Sequence, residues 1–248
     1  MSISTPRSRS VSPAVPNGHD GAVPTLKDGD HLTRDEFMRR YEAMPDLKKA
    51  ELIEGIVHVP SPVRHRHHGN PHATLVGWLF YYRARTPGTE LGDNSTVLLD
   101  VGSAPQPDAV FFIQPDRDGQ VTFDENGYIV GAPELVAEVA ASSVSYDLHE
   151  KLLAYERNGI CEYIVWRIDD REVDWFILRN SRFEKLAPDE GGILNSKFFP
   201  GLKLDPAALV REDFDRLLAV LQSGLESPEH AEFVGRLQRA GTKAASGD

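Results

Sequence analysis

PELVAEVAASSVSYDLHEKLLAYERNG, residues 133–159, is the stretch whose reading decides the fold. Its first part, 135–139, is a short apolar run preceded by Pro133 and reads as a buried strand. From 148 to 158 the period changes: Leu148, Leu152 and Tyr155 recur at helical spacing and mark a packed side, and Gly159 follows as a C-cap. Further β-rich runs at 95–101, 109–113, 162–168 and 173–178 surround this strand and helix, which makes the chain α/β (α+β). Glu138 lies inside the apolar run, where an unpaired carboxylate is expensive, and that expense points to a ligand role.

Outward from this unit, Thr33 and Glu36 have the spacing of a capping box and predict a helix over 34–44. A strand or hairpin is expected around Gly55, over 52–59, closed by Pro60 and Pro62. A helix is expected over 65–84, with a kink or a late start at Pro71. The charged segment 116–131 reads as a hairpin loop. A last helix spans 205–221, with Leu209, Phe214, Leu217, Leu218 and Leu221 as its buried stripe. The expected organisation is a disordered tail over 1–30, one domain over 31–224 and a polar tail over 225–248 whose last dozen residues fray.

Of the 248 residues, 40% are hydrophobic and 26% charged, a globular balance. No apolar run reaches the roughly 18 to 20 residues a membrane span needs. The N-terminal residues lack the apolar core of a secretory signal, and the single cysteine, Cys161, can form no internal disulfide; a cytoplasmic protein is expected. The net charge of −11 argues against a protein that coats nucleic acid non-specifically. It does not argue against an enzyme whose carboxylates gather a divalent ion, because the ion restores attraction for phosphate.

Metal-assisted phosphodiester hydrolysis needs converging carboxylates and a lysine near the attacked phosphate. Asp108 precedes the apolar run 109–113, at the entrance of a strand. Glu138 lies thirteen positions before Lys151, which the helix can aim back over the strand end. Each has a plainer reading: a turn aspartate, an edge-strand glutamate, a solvated lysine. His68 and His72 are four apart, yet no glutamate follows in the HExxH arrangement and no third ligand is evident. The segment from Arg64 to His72 therefore reads as a cationic patch for phosphate rather than a zinc site.

At these residues the chain resembles the Uma-type restriction endonuclease family, a branch of the PD-(D/E)xK nuclease-like, or restriction endonuclease-like, superfamily. The resemblance covers about residues 32–209, through ELIEG (51–55), SPVRH (61–65), QPDAVF (106–111), PELVAEV (133–139), YDLHEKLLAYERNGICEYIVW (146–166) and FPGLKL (199–204). It implies a central mixed β-sheet flanked by helices. It also implies a Mg²⁺-dependent DNA endonuclease, with Mn²⁺ as substitute. Asp108 and Glu138 would be catalytic acids and metal ligands, the Val139 backbone carbonyl a further ligand, Glu51 an outer carboxylate, and His65 a phosphate contact. Where the parent motif has lysine two places after the acid this chain has Ala140, and the branch moves the lysine to the following helix, at Lys151. Asp147 and Tyr155 are implied neighbours of the site. A homodimer is one route to cutting both strands, with the run 173–178 as a candidate interface, although a core strand has the same pattern. A catalytically inactive interaction module of the same fold, binding nucleic acid or protein, is the alternative. Crowding of like charges implies that Asp108→Asn leaves the protein folded and even favours folding.

Overall fold

The computed structural model describes residues 23–60 and 64–246, the side chain of Ser246 excepted. Helix α1 (Arg34–Glu42) starts as its spacing predicts, the Thr33 hydroxyl accepting the Glu36 N–H at 3.4 Å. Strands β1 (Glu51–Ile53) and β2 (Ile56–His58) form the expected hairpin. Its turn residues Glu54 and Gly55 both have positive φ (53° and 80°), as a two-residue hairpin turn requires. One π-helical turn (His65–Gly69) precedes α2 (Asn70–Arg83), so the helix starts late and Pro71 falls in its first turn, where the missing N–H breaks no bond.

Next come β3 (Thr89–Asp93), β4 (Val97–Leu98), β5 (Ala109–Ile113), β6 (Thr122–Phe123), β7 (Ile129–Val130) and β8 (Leu135–Ala140). Helix α3 (Val144–Tyr146), a second π-helical turn (Asp147–Lys151) and α4 (Leu152–Asn158) then cross to β9 (Glu162–Arg167). Gly159, in the left-handed conformation at φ 83°, caps α4 as expected. The chain continues through β10 (Glu172–Arg179), β11 (Arg182–Lys185), β12 (Leu194–Asn195), β13 (Lys203–Leu204), α5 (Pro206–Val210), α6 (Phe214–Leu225) and α7 (Pro228–Ser246).

Six strands form the central sheet in the order β11-β10-β9-β8-β5-β3. Only the β8/β9 pair is parallel, and its crossover is the α3–α4 segment, because parallel neighbours need a long return connection. The sheet is mixed and flanked by helices. Every residue of β5 and β8 is buried, since both faces are covered. Alternation sorts them: Phe111, Leu135, Ala137 and Val139 pack with Leu75, Trp78 and Tyr82 of α2 and Leu217 of α6. Val110, Phe112, Val136 and Ala140 pack with Tyr155 of α4. Even-numbered positions on β5 and β8 thus face α4, and Asp108 and Glu138 share that parity.

Several expectations give way. Of 95–101 only Val97 and Leu98 form a strand, in a side sheet with β6 and β7, while the edge of the main sheet is β3, TELGD, an unpromising strand until all five residues pair with β5. The helix expected over 205–221 is two helices with separate aspartate caps, Asp205 accepting the Ala208 N–H at 2.9 Å and Asp213 the Arg216 N–H at 3.1 Å. Phe214 and Leu218 consequently face outward. The polar tail expected over 225–248 is instead helical through Ser246, and buries Phe233 and Leu237 in the main core. These two apolar side chains, four apart, dock an otherwise polar helix together with buried His230, whose Nε2 lies 3.0 Å from Thr86 Oγ1. Most of the tail expected over 1–30 lies outside the described residues. Within them Leu26 is buried, the Gly29 N–H donates to Val57 O and the Val57 N–H to Asp30 O, each at 2.8 Å. The run 173–178 lies in β10, paired with β9 through Ile177 and with β11 from Phe176 onward.

Candidate active site

Continuing the antiparallel register of β5 and β8 one step beyond Ala109↔Ala137 places Asp108 opposite Glu138. Each carboxylate takes a main-chain N–H from the other strand: Asp108 N–H donates to Glu138 Oε2 at 3.3 Å, and Val139 N–H donates to Asp108 Oδ2 at 2.9 Å. Where β5 and β8 stop pairing by their own backbones, side-chain acids continue the ladder.

Lys151 reaches the pair from the second π-helical turn. Its Nζ lies 2.7 Å from Glu138 Oε1, 3.0 Å from Glu51 Oε1 and 3.8 Å from Asp147 Oδ1. The Tyr155 hydroxyl donates to the same Glu138 oxygen at 3.2 Å. Glu51 comes from β1 and also accepts the Gln106 N–H at 2.7 Å, which ties the hairpin to the segment leading into β5. Asp108, Glu138, Glu51, Asp147 and Lys151 are all buried.

The other side of Asp108 meets residues with access to solvent. Lys49 Nζ lies 3.2 Å from Oδ1, and His68 Nε2 lies 3.0 Å from Oδ2. His72 Nε2 is 2.9 Å from the Asp108 carbonyl and 3.1 Å from Asp93 Oδ1. A carbonyl can only accept, so His72 carries its proton on Nε2. His68 and His72 thus do converge, but as donors to Asp108. His65 is exposed on the same π-helical turn, and it is His68 that contacts the acid. Both π-helical turns among the described residues supply the cluster, one giving His68 and the other Asp147 and Lys151.

Burial pushes the Glu138 carboxyl up to about 8, with Asp108, Asp147 and Glu51 adding to the rise against the opposing pull of Lys151. Burial also favours a neutral Asp108, but the His68 bond, the Lys49 charge and the Val139 amide outweigh it and hold that carboxyl below its usual range. Burial alone would discharge Lys151, whereas Glu138, Glu51 and Asp147 raise its pKa well above the ordinary lysine value. The directions share one cause. Four acids face two lysines, so the lysine stays charged and the most enclosed acid is the hardest to ionise.

Of the residues that spacing in the primary structure singles out, Asp108, Glu138, Lys151, Glu51, Asp147 and Tyr155 meet in one cluster, and His65 lies outside it. Lys49 escapes such reading. Its signal is the alternation Lys49-Ala50-Glu51 at the entry to β1, which projects two charged side chains the same way. Among the described residues no three His, Cys, Asp or Glu side chains are grouped so as to hold a metal ion between them.

A mixed sheet bearing an aspartate and a glutamate on facing strands, with a lysine from the following helix, defines a restriction endonuclease-like fold. Residues 34–207 match the Uma2 family, described as "Putative restriction endonuclease", and the chain belongs to that family. The fold is similar to the crystal structure of a protein described as "a putative nuclease belonging to DUF820" from Anabaena variabilis ATCC 29413. The TM-score is 0.52 at 18% identity, over 72% of this chain and 99% of the other. No curated protein matches the chain.

Proposed function

We propose that this cluster is the active site of a Mg²⁺-dependent DNA endonuclease, with Mn²⁺ able to replace Mg²⁺. The observation that supports it is charge within a buried site. Asp108, Glu138, Glu51 and Asp147, if ionised, exceed Lys49 and Lys151 by two negative charges, and a divalent cation removes that excess. Asp108, Glu138 and the Val139 carbonyl are the proposed ligands. A site with two carboxylates suits Mg²⁺, which keeps several of its waters. Bound there, the ion would activate a water and neutralise phosphate charge.

The chain's own groups have distinct parts in this reading. The Val139 amide and His68 orient Asp108. Tyr155 and Lys151 orient Glu138, and Lys151 is the group that lets it ionise inside the protein. Glu51 is an outer carboxylate that helps hold Lys151 in place. His65 and its exposed neighbours Arg64, Arg66 and His67 form a cationic strip for the DNA backbone.

The test is nicking of supercoiled plasmid with Mg²⁺ and its loss in EDTA. Nicking that EDTA abolishes is the expected result. Binding of DNA without any cleavage would replace this reading with that of an inactive module of the same fold.

A further inference from the structure

Two lysines meet the acid cluster, and they meet it differently. The Lys151 side chain is 4% exposed and its three N–H donors face three carboxylates, those of Glu138, Glu51 and Asp147. Buried among these acids, its ammonium is shielded from a substrate. The Lys49 side chain is 25% exposed, and its ammonium is engaged by Asp108 Oδ1 at 3.2 Å and Asn94 Oδ1 at 2.8 Å. That leaves one N–H uncommitted among the described residues, on a flexible stem at the edge of the cluster.

We propose that Lys49 is the lysine that contacts the substrate, its ammonium donating to a non-bridging oxygen of the phosphate attacked beside Asp108. Lys151 remains inside as the counterion of the buried acids. This rests on the nuclease reading of the same site. A phosphate approaching Asp108 from solvent meets Lys49 at one carboxylate oxygen and His68, 26% exposed, at the other. The opposite side of Asp108 is closed by the Val139 amide and by Glu138. An ammonium suits this place because it is a compact charge with rotatable donors and can keep one bond to Asp108 while making another to phosphate. Its position two residues before Glu51 ties the hairpin to both parts of the site, Glu51 serving the inner lysine and Lys49 the outer face.

A purely structural role for Lys49, as a salt-bridge partner of Asp108, has a different signature from a phosphate contact. A side chain that neutralises a phosphate releases counterions, so its loss lowers the slope of log Kd against log salt by about 0.9 for duplex DNA. The measurement is fluorescence anisotropy of a labelled duplex with the full-length protein in Ca²⁺, from about 50 to 200 mM salt, beside plasmid nicking in Mg²⁺ and thermal melts. Lys49→Gln is expected to lower the slope by about 0.9, to weaken low-salt binding roughly tenfold, and to reduce nicking while keeping the rise in melting temperature on adding Mg²⁺. Lys49→Arg is expected to restore the slope. If Lys49→Gln does not fold, Lys49→Met carries the same readouts.

A wild-type slope in a folded, neutral Lys49 variant overturns the proposal, as does a wild-type protein that binds no duplex. If wild type nicks plasmid and the slope does not depend on Lys49, the nuclease reading survives and the inference fails. If the slope depends on Lys49 and wild type never nicks, the phosphate contact stands and the nuclease reading falls.

Discussion

Glu138 and Glu162 lie on adjacent parallel strands, β8 and β9, and both are buried, yet the protein accommodates them in opposite ways. Glu162 faces the α2 side of the sheet, with Ile164 and Trp166. Its Oε1 accepts the Lys197 N–H at 2.6 Å and the Phe198 N–H at 3.3 Å, and its Oε2 accepts the Ser196 hydroxyl at 2.7 Å. Neutral donors satisfy it, and it pins the loop before Phe199. Glu138 faces the α4 side, where it shares Lys151 with two other acids and lies across from a fourth. A buried glutamate whose donors are main-chain amides is a fastener. One that sits where acids outnumber cations carries the charge excess on which the proposed metal site rests.

The largest expected effect separates the two sides of the sheet by activity. Asp108→Asn removes the charge opposite Glu138, and Mg²⁺-dependent nicking is expected to fall on the order of 100-fold or more. Stability is expected to fall as well, by about 2 kcal/mol, because Asp108 accepts from Val139, His68 and Lys49. This reverses the gain that like-charge crowding alone implies. Plasmid nicking and urea unfolding measure both, and unchanged nicking would place Asp108 among the fasteners.

Next in size is Lys151→Met, which leaves three buried carboxylates without their shared cation. A loss of roughly 3 to 5 kcal/mol is expected in metal-free protein, as for a buried charge stripped of its partner. Mg²⁺ is expected to recover part of it, and urea titrations with and without Mg²⁺ check this. A loss that Mg²⁺ does not touch would detach Lys151 from the metal reading.

Glu162→Leu is the counterpart on the other face. It orphans two amides and a hydroxyl, so a loss of about 3 kcal/mol is expected, with nicking per folded molecule unchanged. Diminished nicking by correctly folded Glu162→Leu would erase the distinction between the two glutamates.

The smallest effect is a pH dependence. Burial raises the Glu162 carboxyl above its ordinary 4.5, against the opposing Lys197, Ser196 and Phe198 bonds. The folded state therefore keeps this proton to higher pH than the unfolded chain. Its contribution to stability is whole below the unfolded value and is lost as pH rises through the folded one. Between wild type and Glu162→Gln, urea unfolding from acidic to neutral pH is expected to show the wild type declining more steeply. Parallel profiles would mean that the amides hold Glu162 ionised throughout.

The primary structure by itself determined the strand–helix–strand unit around Glu138, the cap at Gly159, the hairpin at Gly55 and the order in which Asp108, Glu138 and Lys151 occur. These are local: strand and helix periods, a left-handed glycine and a short turn are properties of neighbouring residues. What separates Glu138 from Glu162 is not local, for both are glutamates in apolar strands. Only the tertiary structure decided that the donors to one are the amides of residues 197 and 198, while the other meets a lysine thirteen positions on and an aspartate thirty positions back. The same holds for Lys49 and His68, which come to Asp108 from before β1 and before α2, and for α7, which is polar in composition and docks through Phe233 and Leu237. Charge balance and burial depend on which distant segments meet, and that is settled by sheet order and packing rather than by any window of sequence.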